Sequence, residues 1–241
     1  MQPYATDLAY IHDVGYGDFA RQSAPHLLRI LRQRGIVGGT VVDLGCGSGI
    51  WAAELLKAGC RVVGVDISPH MIALARRRAP AARLHAASFL DFEFPACRAV
   101  TALGEVLGYA LDPNNHRAAL RRLLRKIHQA LEPGGVLIFD VADTTRHRGL
   151  RQAHAVGDDW ATLVEFERDE KSHTLTRKIT SFRQVGKTYR RAEETHRLHL
   201  HRPREVASWL RTAGFTARIV RGYGGYRFWP GGVGFIARKR K

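Results

Sequence analysis

Cysteine is scarce in this chain. Cys46, Cys60 and Cys97 are the only three, and no two of them stand at a C-x-x-C or other ligand spacing. An odd number so placed argues against a disulfide framework and reads as free thiols in a reducing compartment. Long hydrophobic runs are also missing, and no stretch approaches the roughly 18 apolar residues that a membrane span needs. The segment from Met1 to Asp13 carries acids and no apolar core, so no signal peptide is visible and a cytoplasmic location is expected. Acids are few: 22 Asp and Glu against 38 Lys and Arg leave a formal charge of +16. That excess is compatible with a polyanion such as nucleic acid, or with an acidic substrate. The basic residues are spread along the whole chain, however, and only Arg76 to Arg78 and Arg238 to Lys241 form dense runs. A solvated basic surface is the expectation.

What remains is ordinary globular composition, 45% hydrophobic, in a chain of 241 residues that suits one domain with an insertion. Residues 1 to 18 are polar and aromatic without clear periodicity. Phe19 to Arg34 reads as a helix, with Leu27, Leu28, Ile30 and Leu31 on its buried side. Short apolar strands and amphipathic helices then alternate: strand Thr40 to Leu44, helix Gly49 to Ala58, strand Arg61 to Asp66. Ser68 and Pro69 cap and open a helix to Arg78. Third and fourth strands are expected at Arg83 to Ala86 and Arg98 to Leu103. Asp112 and Pro113 are expected to start a strongly amphipathic helix with Leu120, Leu123, Leu124, Ile127 and Leu131 on its stripe. Pro133-Gly134-Gly135 turns it into a strand from Val136 to Val141. This alternation predicts an α/β, doubly wound, mostly parallel sheet.

Between about Trp160 and Leu200 the period falls to two, which predicts two or three antiparallel strands. The helical period returns at Val206, Trp209, Leu210 and Ala213, closed by Gly214. Strands near Phe215 to Val220 and Val233 to Arg238 complete seven in the main sheet. The expected organisation is an N-terminal helical or lid segment, 1–36, and a core formed by 37–145 and 203–241. An antiparallel β insertion, 146–202, would follow the fifth strand as a substrate roof or dimer contact, so a homodimer is compatible with it.

The chemistry concentrates in Val41-Val42-Asp43-Leu44-Gly45-Cys46-Gly47-Ser48-Gly49. A glycine loop that leaves a strand and opens a helix lets backbone approach a ligand and aims the helix N-terminus at it. Ile50 stands where a dinucleotide fingerprint wants its third glycine. Asp66 closes Val62-Val63-Gly64-Val65, where a carboxylate can accept hydrogen bonds from both hydroxyls of a ribose. These two segments, in this order and spacing, resemble the first two cofactor motifs of class I, Rossmann-like S-adenosylmethionine-dependent methyltransferases of small molecules. The likeness covers Gly39 to Val141 and resumes at Val206 to Arg238. It is specific for the superfamily and nearly silent on substrate.

The resemblance implies S-adenosylmethionine as cofactor. Asp43, Gly45, Cys46, Gly47 and Gly49 would form and order the loop, and Asp66 would hold the ribose. Ile67 and Met71 would flank the adenine. Ala87 to Phe92 resembles the third motif, with Ser88 where the family often has an acid, followed by Phe89. Leu103 and Gly104 would lie at the carboxyl end of the fourth strand. Glu105 would then face the pocket and orient a substrate amine or accept its proton. Tyr10, Tyr16 and Tyr109 are candidates for a substrate lid, with Tyr16 also a catalytic candidate. His199 and His201 would share a strand face, yet no third ligand accompanies them, so solvated histidines are expected and no metal.

The function these residues point to is methyl transfer to nitrogen or oxygen of a small molecule. The Asn/Asp-Pro-Pro-aromatic sequence that such enzymes use on nucleobase or amide nitrogens is absent, so nucleic acid is a less favoured partner. An RNA methyltransferase using the basic surface, or a non-catalytic regulator that binds the cofactor, are the alternatives.

Overall fold

The computed structural model describes residues 3–240. Seven strands form the main sheet: β1 (Thr40–Leu44), β2 (Arg61–Asp66), β3 (Arg83–Ala86), β4 (Cys97–Ala102), β5 (Leu131–Ala142), β10 (Phe215–Val220) and β13 (Gly232–Lys239). Their spatial order is β10-β13-β5-β4-β1-β2-β3. The five strands from β3 to β5 run parallel, while β13 lies antiparallel to both β5 and β10. Val, Leu and Ile fill both faces of the central strands, as burial on two sides requires. One face packs on α5 (Arg117–Ala130) and α6 (Pro203–Thr212), the other on α2 (Asp18–Gln33) and α3 (Ile50–Lys57). Helix α4 (Pro69–Arg78) is capped as its sequence predicts, with Ser68 Oγ accepting from Met71 N–H at 3.2 Å. No helix among the described residues is long and apolar enough to cross a membrane.

Four elements depart from the sequence reading. Residues 1 to 18 contain a helix, α1 (Thr6–Gly15), which buries Leu8, Ala9 and Ile11. Helix α5 begins at Arg117, capped by His116, and not at Asp112. Asp112 instead folds into an Asx turn, accepting from Asn114 N–H at 2.8 Å, and the buried Asn115 amide donates to the carbonyls of Leu107 and Tyr109. Strand β5 runs through Pro133 from Leu131, with a register irregularity opposite Cys97 and Ala99. The insertion is a four-stranded meander: β6 (Gln152–Val156), β7 (Trp160–Asp169), β8 (Thr174–Val185) and β9 (Thr188–His199). The hairpin β11 (Gly222–Tyr223) and β12 (Tyr226–Arg227) packs its aromatic rings behind Phe19.

The meander and α1 together roof the carboxyl ends of β1, β2 and β4. Glu194 of β9 accepts from the backbone N–H groups of Tyr4 (2.8 Å) and of the N-cap Ala5 (2.9 Å), tying the start of α1 to the meander. Asp7 pairs with Arg183 and Arg190 of the meander, and Asp13 takes a two-pronged ion pair from Arg78 of α4 at 2.7 and 3.0 Å.

Candidate active site

The roof encloses a cavity of about 1100 Å³, its open mouth included. Its floor is the loop after β1. Gly45, Gly47 and Gly49 all take positive φ (61°, 53° and 79°), the left-handed region that L side chains rarely adopt. A Cβ on Gly45 would stand 2.5 Å from both γ-carbons of Val106, whereas one on Gly47 would point into open cavity. The loop's backbone therefore lies open to a ligand at Gly47. Gly49 sits behind the loop against Ala75 and does not line the cavity, so its part is helix packing rather than ligand contact.

Asp66 ends β2 with its carboxylate already oriented: Oδ2 accepts from Gly47 N–H at 2.9 Å and Oδ1 from Ser68 N–H at 2.8 Å. Burial raises its pKa, and these two N–H groups oppose the rise. Asp43 lies deeper, 2% exposed, held by a relay in which Trp51 Nε1 donates to Thr101 Oγ1 and Thr101 donates to Asp43. Burial pushes its pKa to about 7, against the Thr101 hydrogen bond and with help from Asp66. Ile67, Met71, Ser88 and Phe89 line the cavity with Asp66, as do Cys46, Leu103 and Gly104.

Ser88 does not stand alone where an acid was wanted. It accepts from Leu90 N–H at 3.2 Å and donates to Asp112, which also lines the cavity. Sequence reasoning missed Asp112 because Asp-Pro is an ordinary helix start. The signal was the Asn114-Asn115 pair that follows, which favours a turn there.

Glu105 requires a correction. Its φ of 63° and the grip of Asp140, which accepts from both Gly104 and Glu105 N–H groups, turn its side chain away from the cavity. Oε2 accepts a hydrogen bond from Arg177 Nη2 at 2.7 Å, and Oε1 lies 2.7 Å from Arg146 Nε in an ion pair without hydrogen-bond alignment. Burial pushes its pKa up, but Arg177 and Arg146 outweigh it and hold the carboxyl below its ordinary range. A carboxylate so paired is a poor proton acceptor. Its partners also show that part of the basic excess is structural rather than solvated, because Arg146 and Arg177 are mostly buried.

Of the three tyrosines, Tyr16 and Tyr109 line the cavity and Tyr10 does not. Tyr10 donates to Asp159 at 2.8 Å and carries the Arg183 guanidinium 3.7 Å above its ring, clamping α1 to the meander. Tyr16 bonds to Thr162, and Tyr109 receives Arg177 Nη1 at 2.8 Å. Of the two histidines expected to be solvated, His199 is half-buried and His201 is buried. β9 ends at His199, whose Nε2 meets the Asn115 carbonyl at 2.9 Å, while His201 is buried with burial holding its pKa down to about 4.

A family profile described as a methyltransferase domain matches residues 16–219. The chain belongs to this family. It is an S-adenosylmethionine-dependent methyltransferase with a Rossmann-like core. One curated relative is the dTDP-3-amino-3,4,6-trideoxy-alpha-D-glucopyranose N,N-dimethyltransferase of Streptomyces venezuelae. It is 25% identical over 228 residues, which span 91% of this chain and 94% of the relative. An S-adenosylmethionine-dependent methyltransferase from Clostridium acetobutylicum shares the fold with a TM-score of 0.82 at 16% identity, covering 97% of this chain and 98% of its own. The sugar N-methyltransferase KedS8 of Streptoalloteichus does so with 0.77 at 22% identity, covering 98% and 94%. The residues present in this methyltransferase suit the cofactor: an open glycine cradle at Gly47 and a pre-oriented carboxylate at Asp66.

Proposed function

We propose that this methyltransferase acts on a nitrogen of a small molecule held beneath the α1–meander roof, with an amino sugar nucleotide as the leading acceptor class. The observation that carries this reading is a single cavity lined by both the cofactor motifs and a group of tyrosines. The glycine loop and Asp66 line this cavity together with Tyr4, Tyr16 and Tyr109. The Streptomyces venezuelae relative, similar along nearly its whole length and named for an amino sugar nucleotide, supports the acceptor class.

In this reading Gly45 and Gly47 bring backbone close to the cofactor's methionine side, and Asp66 takes the ribose hydroxyls. Asp43, fixed by Thr101, orders the loop from below. Asp112, steadied by Ser88 and Asn114, offers its carboxylate to the amino group of the adenine. The bound sulfonium supplies an electrophilic methyl group. The chain's own share of the reaction is to align an acceptor with that methyl and exclude water, which accounts for most of the rate in a displacement of this kind.

The acceptor assignment is tested by incubating the enzyme with methyl-labelled S-adenosylmethionine and a panel of amino sugars, each free and as its dTDP conjugate. Labelled N-methyl product is expected. Labelling of RNA with a steep salt dependence, and of no amine, would replace this reading with the nucleic-acid one. A second expected result concerns Asp112. S-Adenosylhomocysteine should bind wild type about tenfold or more tightly than S-inosylhomocysteine, which carries a carbonyl in place of the amino group. The Asp112→Asn variant should lose that preference. Calorimetry on the four pairs reads it directly, and an unchanged ratio in Asp112→Asn would remove the residue from the adenine site.

A further inference from the structure

Polar side chains that line the cavity are nearly all committed to one another. Asp43 is held by Thr101, Asp66 by Gly47 and Ser68, and Asp112 by Ser88 and Asn114. Ser48 donates to Asp13, Trp51 to Thr101, and Tyr16 bonds to Thr162. Tyr4 and Tyr109 share a hydroxyl contact, with Arg177 behind Tyr109. His12 is the exception. It lies on α1, lines the cavity, and its imidazole has no hydrogen-bond partner among the described residues.

Resting on the amine reading above, we propose that His12 accepts a hydrogen bond from the N–H of the acceptor amine and aims that nitrogen's lone pair at the methyl group. Its surroundings are arranged for that task. Tyr4 stands edge-on to the ring at 5.2 Å and Tyr16 stacks against it at 5.9 Å, so its orientation is fixed by packing. The charged and titratable groups around it are already paired. On its own helix Asp13 is neutralised by Arg78 of α4, and from the meander His196 is bonded to Glu194. Burial holds the imidazole down to about 4, with Asp13 opposing and His196 adding to the shift. At pH 7 the ring is therefore neutral and keeps one nitrogen lone pair free to accept.

This weak basicity selects the acceptor. A hydroxyl must give up its proton to become a good nucleophile, and so needs a stronger base than this imidazole. A neutral amine already has its lone pair and needs only direction. In the step itself the nitrogen lone pair forms the N–C bond while the electron pair of the breaking C–S bond returns to sulfur. The positive charge moves to the new alkylammonium, whose proton stays on nitrogen, bonded to His12, until it passes to solvent.

The experiment uses the full chain, methyl-labelled S-adenosylmethionine as donor, S-adenosylhomocysteine as the binding probe, and a panel pairing 3-amino-3-deoxyglucose and its dTDP conjugate with the matching 3-hydroxy sugars. Wild type should methylate the amines and leave the hydroxyl partners. His12→Ala and His12→Phe should each lower kcat about 100-fold, the scale of one orienting group at the reacting atom, with KM changed much less. His12→Phe keeps an aromatic ring between Tyr4 and Tyr16, so a purely packing role would leave its rate near wild type. His12→Asn, whose carboxamide oxygen can accept, should recover part of the loss. In ¹⁵N-histidine spectra the His12 ring should stay neutral from pH 5 to pH 8. Wild-type turnover by His12→Phe, a ring protonated at pH 7, or methylation of hydroxyls alone would each overturn the proposal, as would turnover on no amine while S-adenosylhomocysteine binds. Failure of wild type to bind S-adenosylhomocysteine would instead overturn the assignment of the cavity on which it rests.

Discussion

Replacing Asp66 by alanine is expected to raise the Kd for S-adenosylmethionine by at least about 100-fold. A ribose hydroxyl donating to a carboxylate contributes roughly 1.5–3 kcal/mol, and Asp66 is placed to receive two. The loss has a second source in the apoprotein. Asp66 Oδ2 holds the N–H of Gly47 and Oδ1 that of Ser68, so the same carboxylate shapes the loop and the start of α4. Asp66→Asn, which keeps one acceptor and loses the charge, should fall between wild type and alanine. Calorimetric titration gives all three constants, and a thermal melt of each variant confirms that the fold survives. A Kd for Asp66→Ala within about threefold of wild type would detach Asp66 from the ribose and with it the placement of the cofactor.

Glu105→Ala should produce the largest loss of stability, about 3–5 kcal/mol, because it leaves two mostly buried guanidinium groups without their counter-ion. For a chain of this length that corresponds to a fall in Tm on the order of 10 °C. The sign of the pH dependence follows from the carboxyl being held below its unfolded value of 4.5. Its contribution is present above that value and is lost as pH falls through the lower, folded-state value. Wild type should therefore weaken in acid below about pH 4.5 through this group, and Glu105→Ala should lack that component. Urea melts at pH 7 and pH 4 measure both effects. A difference under about 1 kcal/mol at pH 7 would mean that Arg146 and Arg177 find water or other partners in the native state.

The parallel core was legible because its signals are local. Each of β1, β2 and β4 is a short apolar run bounded by glycine, proline or a cap, and the glycine loop and Asp66 lie within one strand–helix–strand unit. Most of what escaped depends on partners distant in the chain. Helix α1 has only Leu8, Ala9 and Ile11 on its buried side, too short a stripe to announce it. It is stabilised by Glu194 and Arg183 of the meander, which no window around Thr6 to Gly15 contains. Glu105 reads as a pocket carboxylate until Arg146 and Arg177 are seen on either side of it. Asp112 reads as a helix cap until the Asx turn carries it to Ser88. For α1 and Glu105 tertiary electrostatics overrode a local rule, whereas the turn at Asp112 is local and only its reach to Ser88 is tertiary.

Strand β13 follows every other strand of the main sheet in sequence, yet it is inserted between β10 and β5. During synthesis on the ribosome, the edge of β5 must therefore stay unpaired while the whole meander, α6 and β10 are being made. That interval exposes Leu137, Phe139 and Val141 on a strand with open hydrogen-bonding groups, the kind of edge that other nascent chains can join. Expression yield of this enzyme should thus respond to chaperone supply and growth temperature more than the stability of its finished fold would suggest.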